Sequence, residues 1–207
     1  MSKSEKFWDK QAERFAQEGD GDDVTLNTAV SLTQKYLKQS DVVLDFGCAT
    51  GALTFTIAGQ VQLVEGVDIS SKMIALAQQK ATERQLANVH FTQGTIVNMP
   101  YPDESFDVVL AFNVLHLVEE AQSALRKMNQ LLKPGGLFIS ATPCLGEKGG
   151  LFTAVFSLMS KTGLAPQITK FKSAELQNLV RSNSFQIEEM KILAPEYAET
   201  LLVARKI

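Results

Sequence analysis

The stretch Val42-Val43-Leu44-Asp45-Phe46-Gly47-Cys48-Ala49-Thr50-Gly51 decides the fold of this chain. Its first half, Val42 to Phe46, is a short and mostly apolar run that predicts a buried strand. Gly47 to Gly51 then form a turn, and Ala52 to Ala58 are compatible with a helix. This order of strand, glycine turn and helix is how a βαβ unit begins.

The following segments continue the alternation of strands and helices. Ser70 can cap a helix from Ser71 to about Gln85, and a helix from about Glu119 to Leu132 ends at Lys133-Pro134-Gly135-Gly136. Phe106 to Phe112 is almost entirely apolar, which is typical of a parallel strand buried on both faces. The other predicted strands lie at Leu63–Asp68, Val89–Gln93 and Leu137–Ala141. The fold class is therefore α/β, with a Rossmann-like parallel sheet and helices on both faces.

The two ends of the chain have a different organisation. An acidic loop, Gly19 to Asp23, separates two predicted helices, Ser4 to Gln17 and Val24 to Lys38. Towards the other end, a helix from about Ala174 to Arg181 precedes two strands. These strands are Phe185–Leu193 and Leu201–Lys206. The link between them contains Pro195 and is too short for a helical crossover, so they predict an antiparallel hairpin.

The composition limits the classes of function. A chain of 207 residues with 45% hydrophobic and 21% charged residues is typical of one globular domain. The only histidines are His90 and His116 and the only cysteines are Cys48 and Cys144, which excludes a structural zinc site. The net charge of −3, without any run of Lys or Arg, argues against nucleic acid as a partner.

The sequence also gives an expectation about membranes and the cell compartment. The most apolar uncharged stretch, Gly149 to Ser160, is too short to span a bilayer, which takes about 20 residues as a helix. The first ten residues lack the apolar core of a secretory signal. We therefore expect no membrane span and a cytoplasmic protein with free thiols.

Acidic residues and glycines fall where the predicted parallel strands end. Ligands of open parallel sheets bind at the carboxyl ends of the strands. Asp45 and the turn from Gly47 to Gly51 lie at the end of the first strand, and Asp68 ends the second. Glycines let a ligand approach the backbone, and an acidic residue at this distance accepts hydrogen bonds from a ribose diol. The pattern indicates a ligand that contains a nucleoside.

Two classes of cofactor contain such a nucleoside. A dinucleotide needs a glycine where Ala49 stands, because the pyrophosphate must come close to the backbone. Asp45, immediately before the turn, would also repel a diphosphate. The same carboxylate suits a positively charged ligand, such as a sulfonium that carries an amino group.

At this point four segments resemble the class I S-adenosylmethionine-dependent methyltransferases, and specifically the group that includes enzymes of quinone biosynthesis and small-molecule methylation. The segments are VVLDFGCATG (42–51), VEGVDISSKMIALA (64–77), PYPDESFDVVLAFNVLHLV (100–118) and LLKPGGLFIS (131–140). The resemblance runs from about Phe7 to the carboxyl terminus and is strongest between Val42 and Ser140. It implies a seven-stranded sheet whose last strand is reversed, in agreement with the predicted hairpin.

The resemblance implies S-adenosylmethionine as the cofactor. The positions that match the family's cofactor contacts are Asp45, Gly47, Ala49, Thr50, Gly51, Asp68, Ile69, Met73, Gly94, Thr95, Ile96, Phe112 and Asn113. Among them, Asp68 would hold the ribose hydroxyls, and Ile69 and Met73 would contact the adenine. The chain departs from the family at two positions: Thr95 stands in place of an Asp and Ala49 in place of a Gly. Both departures concern the strength of cofactor binding.

The resemblance also indicates where the acceptor of the methyl group lies. Phe112 and Asn113 would sit under the transferred methyl, with His116 close by. His116 is the one candidate for a catalytic base, which is needed only if the acceptor carries a proton. The candidate acceptor contacts are Trp8, Phe15, His116, Phe152 and Phe156. The aromatic residues among them favour a small, partly apolar acceptor, although their packing inside the protein is the competing interpretation.

We therefore expect a single methyltransferase domain over residues 1–207. Its predicted regions are N-terminal helices that could act as a lid (1–40), a cofactor-binding core (41–142), a substrate cap (143–172) and a C-terminal helix with a hairpin (173–207). The leading hypothesis is S-adenosylmethionine-dependent methyl transfer by in-line displacement. The competing hypotheses are a nicotinamide-dependent oxidoreductase, which uses a similar strand and acidic residue, and a noncatalytic binding module that kept the methyltransferase fold.

Overall fold

The computed structural model describes residues 2–18, 24–147, 168–195 and 198–207. A seven-stranded mixed sheet lies at its centre. The strands are β1 (Val42–Phe46), β2 (Leu63–Asp68), β3 (Val89–Gln93), β4 (Phe106–Phe112), β5 (Leu132–Pro143), β6 (Phe185–Ala194) and β7 (Glu199–Lys206). The helices of this part of the chain are α1 (Lys3–Glu18), α2 (Val24–Thr33), α3 (Ala52–Ile57), α4 (Ser71–Glu83), α5 (Ala121–Leu131) and α6 (Ser173–Arg181).

The order of the strands is β3-β2-β1-β4-β5-β7-β6. The first five strands in this order pair in parallel, whereas β7 is antiparallel to both of its neighbours. The predicted mostly parallel sheet with a reversed last strand is confirmed, and so is the terminal hairpin. The strand order reverses between β1 and β4, so a ligand of such a sheet is expected at the carboxyl ends of these two strands.

Two apolar layers cover the two faces of the sheet. On one face, α5 and α6 pack with side chains such as Leu125 and Val180. On the other face, α2, α3 and α4 pack with side chains such as Ile57 and Ala77. β4 lies between the layers and is buried along almost its whole length, as its continuous apolar sequence predicts. Helix α1 packs against α4, outside these two layers.

The second helix is shorter than predicted. It was expected to reach Lys38, but α2 ends at Thr33 and a 3₁₀ turn follows at Gln34–Tyr36. Leu37 is extended, with φ −86° and ψ 146°, and the next N–H, that of Lys38, donates to the carboxylate of Asp41 at 2.8 Å. This local capping contact replaces the backbone hydrogen bonds of a further helical turn.

Strand β5 starts at Leu132 instead of Leu137, so the predicted start was wrong. Leu132 pairs with Phe106, and the register then shifts before Leu137 pairs with Val108. The residues Lys133 to Gly136 form an irregular segment within the strand, and its first glycine has a φ of 73°. Pro and Gly end a helix, but a bulge in a strand tolerates both. The segment therefore follows the end of α5 and at the same time belongs to β5.

Three further observations concern the described part of the chain. Cys48 and Cys144 are both free and buried. No group of three or more His, Cys, Asp or Glu residues that could hold a metal ion was found within the described ranges. None of the helices described is both long enough and apolar enough to cross a membrane.

Candidate functional site

The glycine turn after β1 is tied to the end of β2. The N–H groups of Gly47 and Cys48 both donate to the carbonyl oxygen of Val67, at 2.7 and 3.1 Å. Gly47 has a φ of 78°, and a Cβ added there would lie 2.6 Å from a methyl group of Val114. Glycine is therefore required at this position by both conformation and space, and the turn lies against the loop that follows β4.

Asp68 lies at the end of β2 and is held from both sides by backbone donors. The N–H of Ala49 donates to its Oδ2 at 3.1 Å, and the N–H of Ser70 donates to its Oδ1 at 2.8 Å. Burial raises the pKa of Asp68, and these two hydrogen bonds act in the opposite direction. Each carboxylate oxygen can accept a further hydrogen bond. The half-buried carboxylate can therefore receive two hydroxyl groups of a ligand.

Asp45 lies deeper in the same part of the molecule. Only 2% of the residue is exposed, and its Oδ2 accepts a hydrogen bond from the hydroxyl of Thr54 in α3 at 2.6 Å. Burial raises the pKa of Asp45 to about 6, the Thr54 hydroxyl opposes the rise, and the nearby charge of Asp68 adds to it. Two acidic groups thus lie close together beneath the turn, and they favour a cationic ligand over an anionic one.

Gly51 closes the turn and precedes the short helix α3. Its φ is 88°, and an added Cβ would lie 2.8 Å from the ring of Phe55 and 2.9 Å from the ring of Phe91. Ala49, in contrast, carries a side chain although its φ is 47°. Non-glycine residues adopt this left-handed region rarely. The conformation that the family's glycine supplies without strain is therefore kept here by an alanine.

The predicted adenine contacts surround the ends of β2 and β3. The N–H of Gly94 donates to the carbonyl oxygen of Asp68 at 2.9 Å, which joins the two strand ends. Thr95 is half-buried, as is Ile69, whereas Met73 and Ile96 are each 1% exposed. The half-buried residues can contact a ligand directly, and the two fully buried residues lie in the packing beneath them. The assignment of these residues to adenine remains a prediction.

The predicted acceptor position lies at the end of β4. Asn113 is exposed, has a φ of 52°, and donates its N–H to the carbonyl oxygen of Ala141 at 2.8 Å, whereas Phe112 is buried. His116 follows in a 3₁₀ turn and is 8% exposed. Its Nδ1 has no hydrogen-bond partner within the part of the chain that the structure describes, and burial lowers its pKa to about 4. The imidazole is therefore neutral near pH 7 and can accept a hydrogen bond.

The other predicted acceptor contacts are not all brought to this position. Trp8 lies on α1, is half-buried and packs edge-on against Phe7, with 5.1 Å between the ring centroids. Phe15, on the same helix, is 37% exposed. Phe152 and Phe156 lie outside the described residues, as does most of the predicted substrate cap. The roles of these four residues as acceptor contacts remain predictions.

Two side chains at the site were not among the predicted residues. Thr54 is the hydrogen-bond donor to Asp45, and Asp9 is a buried acid on α1 that contacts Ser70. The position of Asp9, three residues before the fully buried Ala12, would have placed it on the inner face of the helix. Ser70 was predicted as a helix cap, and its hydroxyl does accept the Met73 N–H at 3.1 Å.

Comparison with known proteins identifies relatives of this chain. A family model described as a methyltransferase domain matches residues 37–195. An uncharacterized methyltransferase, YcgJ of Bacillus subtilis, is 34% identical over 97 residues, which are 47% of this chain and 38% of that protein. A demethylmenaquinone methyltransferase of Lactiplantibacillus plantarum is 36% identical over 114 residues, which are 53% of this chain and 48% of that protein. The matches thus span about half or less of these curated relatives.

Solved structures share the fold. The crystal structure of YcgJ from Bacillus subtilis superposes with a TM-score of 0.72 and 20% identity, over 87% of this chain and 98% of that one. A geranyl diphosphate methyltransferase in complex with SAM gives a TM-score of 0.74 and 15% identity, over 87% of this chain and 85% of that one. The matched family segment includes the turn, both acidic residues and the end of β4, and the resemblance stated from the sequence is confirmed. The chain belongs to the methyltransferase-domain family.

Proposed function

We propose that this protein transfers the methyl group of S-adenosylmethionine to a small, partly apolar acceptor. One observation carries the proposal: two carboxylates, Asp45 and Asp68, lie at the carboxyl ends of neighbouring parallel strands and next to a tight glycine turn. A nucleoside with a positively charged sulfur and an amino group complements this arrangement in both shape and charge.

The residues present fit this cofactor. Asp68 is held by two backbone N–H groups and has further acceptor capacity for the ribose hydroxyls. Asp45 supplies negative charge beneath the turn, and a bound cation would favour its ionised form. Thr95 offers a hydroxyl where the family has a carboxylate, so we expect adenine to be held less strongly here than by an acidic residue.

The described residues position the reactants and keep water away from them. When bound, S-adenosylmethionine supplies a methyl group on a positively charged sulfur. The neutral thioether that remains after transfer is a good leaving group. In-line displacement therefore needs alignment and a dry site more than it needs an acid. The buried ring of Phe112 and the backbone at Asn113 form the floor on which we expect the acceptor atom to be aligned.

His116 has a defined role in this proposal. Its Nδ1 has no hydrogen-bond partner among the described residues and is itself buried, so it would accept a hydrogen bond from, and orient, an acceptor hydroxyl or amine that reaches this interior position. Because its pKa is lowered to about 4, the imidazole is a weak base, and a general base works best with a pKa near the operating pH. We therefore assign His116 the role of orienting the acceptor group rather than that of removing its proton.

The class of acceptor is proposed from the relatives. Matching proteins are named demethylmenaquinone methyltransferase, and one structural neighbour is a geranyl diphosphate methyltransferase. Both names describe partly apolar small molecules. A nicotinamide-dependent oxidoreductase is disfavoured, because Ala49 stands where pyrophosphate needs a glycine and Asp45 would repel a diphosphate.

The first experiment measures cofactor binding by calorimetry. We expect S-adenosylmethionine and S-adenosylhomocysteine to bind, and Asp68→Asn to weaken both by about tenfold or more, because an amide is a weaker acceptor than a carboxylate. Asp103→Asn is the matched control: this largely exposed carboxylate pairs with Lys127, away from the turn. Failure of both ligands to bind to the wild-type protein would overturn the proposal.

The second experiment tests turnover. The protein is incubated with S-adenosylmethionine and a panel of short-chain demethylated quinones, phenols and prenyl diphosphates, and mass spectrometry detects products that are heavier by one methylene group. A methylated product supports the proposed reaction. Binding of the cofactor without any product across the panel would instead favour the noncatalytic binding module.

A further inference from the structure

Helix α1 carries a buried carboxylate on the face that packs against α4. Asp9 is 7% exposed, and Ala12, on the same face, is fully buried. A carboxylate is removed from water at a large cost in free energy unless hydrogen bonds compensate it. The partners of Asp9 therefore show what holds α1 in place.

The partners of Asp9 lie at the start of α4. Its Oδ1 accepts hydrogen bonds from the hydroxyl of Ser70 at 2.6 Å and from the N–H of Lys72 at 3.2 Å. The Ser70 hydroxyl oxygen also accepts the N–H of Met73, so its proton is directed at Asp9. The Ser70 hydrogen bond, with help from Lys72, keeps the pKa of Asp9 below its usual range although burial opposes this.

Ser70 joins Asp9 to the candidate ribose carboxylate. Its hydroxyl donates to Asp9, and its backbone N–H donates to Oδ1 of Asp68 at 2.8 Å. Asp68 in turn accepts the N–H of Ala49 in the glycine turn. A continuous path of hydrogen bonds therefore runs from α1 through the residue that caps α4 to the cofactor turn.

A second contact attaches α1 to the same loop. The side-chain amide of Gln93 donates to Glu5 at 3.0 Å and to the carbonyl oxygen of Ile69 at 3.1 Å. Glu5 and Asp9 are four residues apart and therefore lie on the same face of the helix. This face is thus bonded directly to Ser70 and, through Gln93, to Ile69, the two residues that directly follow Asp68.

We propose that Asp9 is a positioning residue for the cofactor site: acting through Ser70, it holds Asp68 in the orientation that receives the ribose hydroxyls. Helix α1 is thereby a wall of this site and not an independent N-terminal segment. The inference rests on the proposed function, because it assigns Asp68 to the ribose. It adds a residue that acts on Asp68 through Ser70.

Hydrogen bonding and charge predict opposite effects for the loss of Asp9. The negative charge of Asp9 raises the pKa of Asp68, so its removal by itself would leave Asp68 more fully ionised and no poorer as an acceptor. If Asp9 acts by position, its removal weakens binding. S-adenosylhomocysteine is the suitable probe, since it lacks the sulfonium charge that Asp9 could attract from a distance.

The experiment compares calorimetric titrations of the wild-type protein, Asp9→Ala, Ser70→Ala and the double variant with S-adenosylhomocysteine. We expect each single variant to bind about tenfold more weakly, and the double variant to bind no more weakly than the poorer single one, because both act on one path. Glu13→Gln is the matched control, since this exposed acid of α1 lies 3.5 Å from the amine of Lys72 and should leave the affinity unchanged.

Trp8 gives a readout that is independent of the ligand. It is the only tryptophan of the chain and adjoins Asp9, so its emission maximum reports whether α1 stays docked. A shift to longer wavelength in Asp9→Ala, together with the weaker binding, supports the proposal. An Asp9→Ala protein that melts earlier but binds S-adenosylhomocysteine as the wild type does would show a purely structural role and overturn it.

Two further outcomes separate this inference from the proposed function. If the wild-type protein does not bind S-adenosylhomocysteine, the proposed function fails and the inference fails with it. If Asp9→Ala does not fold, Asp9→Asn replaces it: the amide oxygen can still accept the Ser70 hydroxyl proton, and we expect an intermediate affinity. Wild-type affinity in Asp9→Asn, combined with wild-type affinity in Ser70→Ala, would refute the proposal that this path of hydrogen bonds positions Asp68.

Discussion

Replacing Asp45 by asparagine removes a charged group that is almost completely buried in the folded protein. The side chain keeps its size, and the Thr54 hydroxyl can still donate to the amide oxygen. Burial raises the pKa of the folded carboxyl from its ordinary acidic range to about 6. The folded state therefore binds the proton more tightly than the unfolded state does. This contribution to stability is fully present below the unfolded pKa and is lost as the pH rises through about 6.

The two pKa values give the size of the effect. Between about pH 4.5 and about pH 7.5, this one carboxyl group should reduce the free energy of unfolding of the wild-type protein by about 2 kcal/mol. The asparagine side chain of the variant does not titrate, so the difference in stability between Asp45→Asn and wild type should move by about 2 kcal/mol in favour of the variant over this range. Any constant effect of the new amide cancels in the comparison between the two pH values.

Urea denaturation of both proteins at the two pH values measures this difference. A difference that does not change with pH would refute the reasoning, because it would mean that Asp45 has the same proton affinity in the folded and unfolded states. The same variant has a functional consequence. If Asp45 faces the cationic part of the cofactor, the affinity for S-adenosylmethionine should rise with pH through about 6 in the wild type and lose most of this dependence in Asp45→Asn.

Three further substitutions test other parts of the site. Gly51→Ala should destabilise the protein by at least about 2 kcal/mol in urea denaturation, because its φ is 88° and the new Cβ would meet two phenylalanine rings; Gly59→Ala, which has open space around it, should change stability by less than about 0.5 kcal/mol. Thr54→Val should cost about 1–2 kcal/mol and shift the pH dependence caused by Asp45 upward, and an unchanged pH profile would contradict this. His116→Gln should lose about 2 kcal/mol less free energy of unfolding than the wild type between about pH 6.5 and about pH 4.5, because the buried imidazole has its pKa lowered to about 4 and resists protonation in the folded state. Equal losses of stability in the variant and the wild type would argue against this reasoning.

The central strands were predictable because burial on both faces leaves a clear pattern. β1, β2, β3 and β4 have the bounds that their apolar runs indicate, and the terminal hairpin followed from a link too short for a helix. The bulge in β5 was not predictable in the same way. Its Pro and Gly residues are compatible with a turn, and the pairing of Leu132 and Leu137 with β4 on either side of them decides that the strand continues.

The residues of the candidate site also fall into those that the sequence predicts and those that only the folded structure identifies. Asp45, Asp68 and the glycine turn are local in sequence and follow strands, so their proximity could be inferred from the parallel sheet. Asp9 contacts Ser70 across a sequence separation of 61 residues, a contact that depends on how α1 packs against α4. Periodicity could place Asp9 on the inner face of α1, but it could not identify the partner. The same holds for the burial that sets the pKa of His116.

The position of β7 has a consequence for the order in which the molecule can be assembled. In the described sheet, β7 lies between β5 and β6 and supplies the pairing partner that joins them, yet it is the last of these seven strands to be synthesised. The five parallel strands can pair as they are synthesised, whereas β6 must wait for β7. We therefore expect the hairpin to form locally and then add to the open edge of β5 as one unit, which leaves that edge exposed until synthesis has passed Lys206.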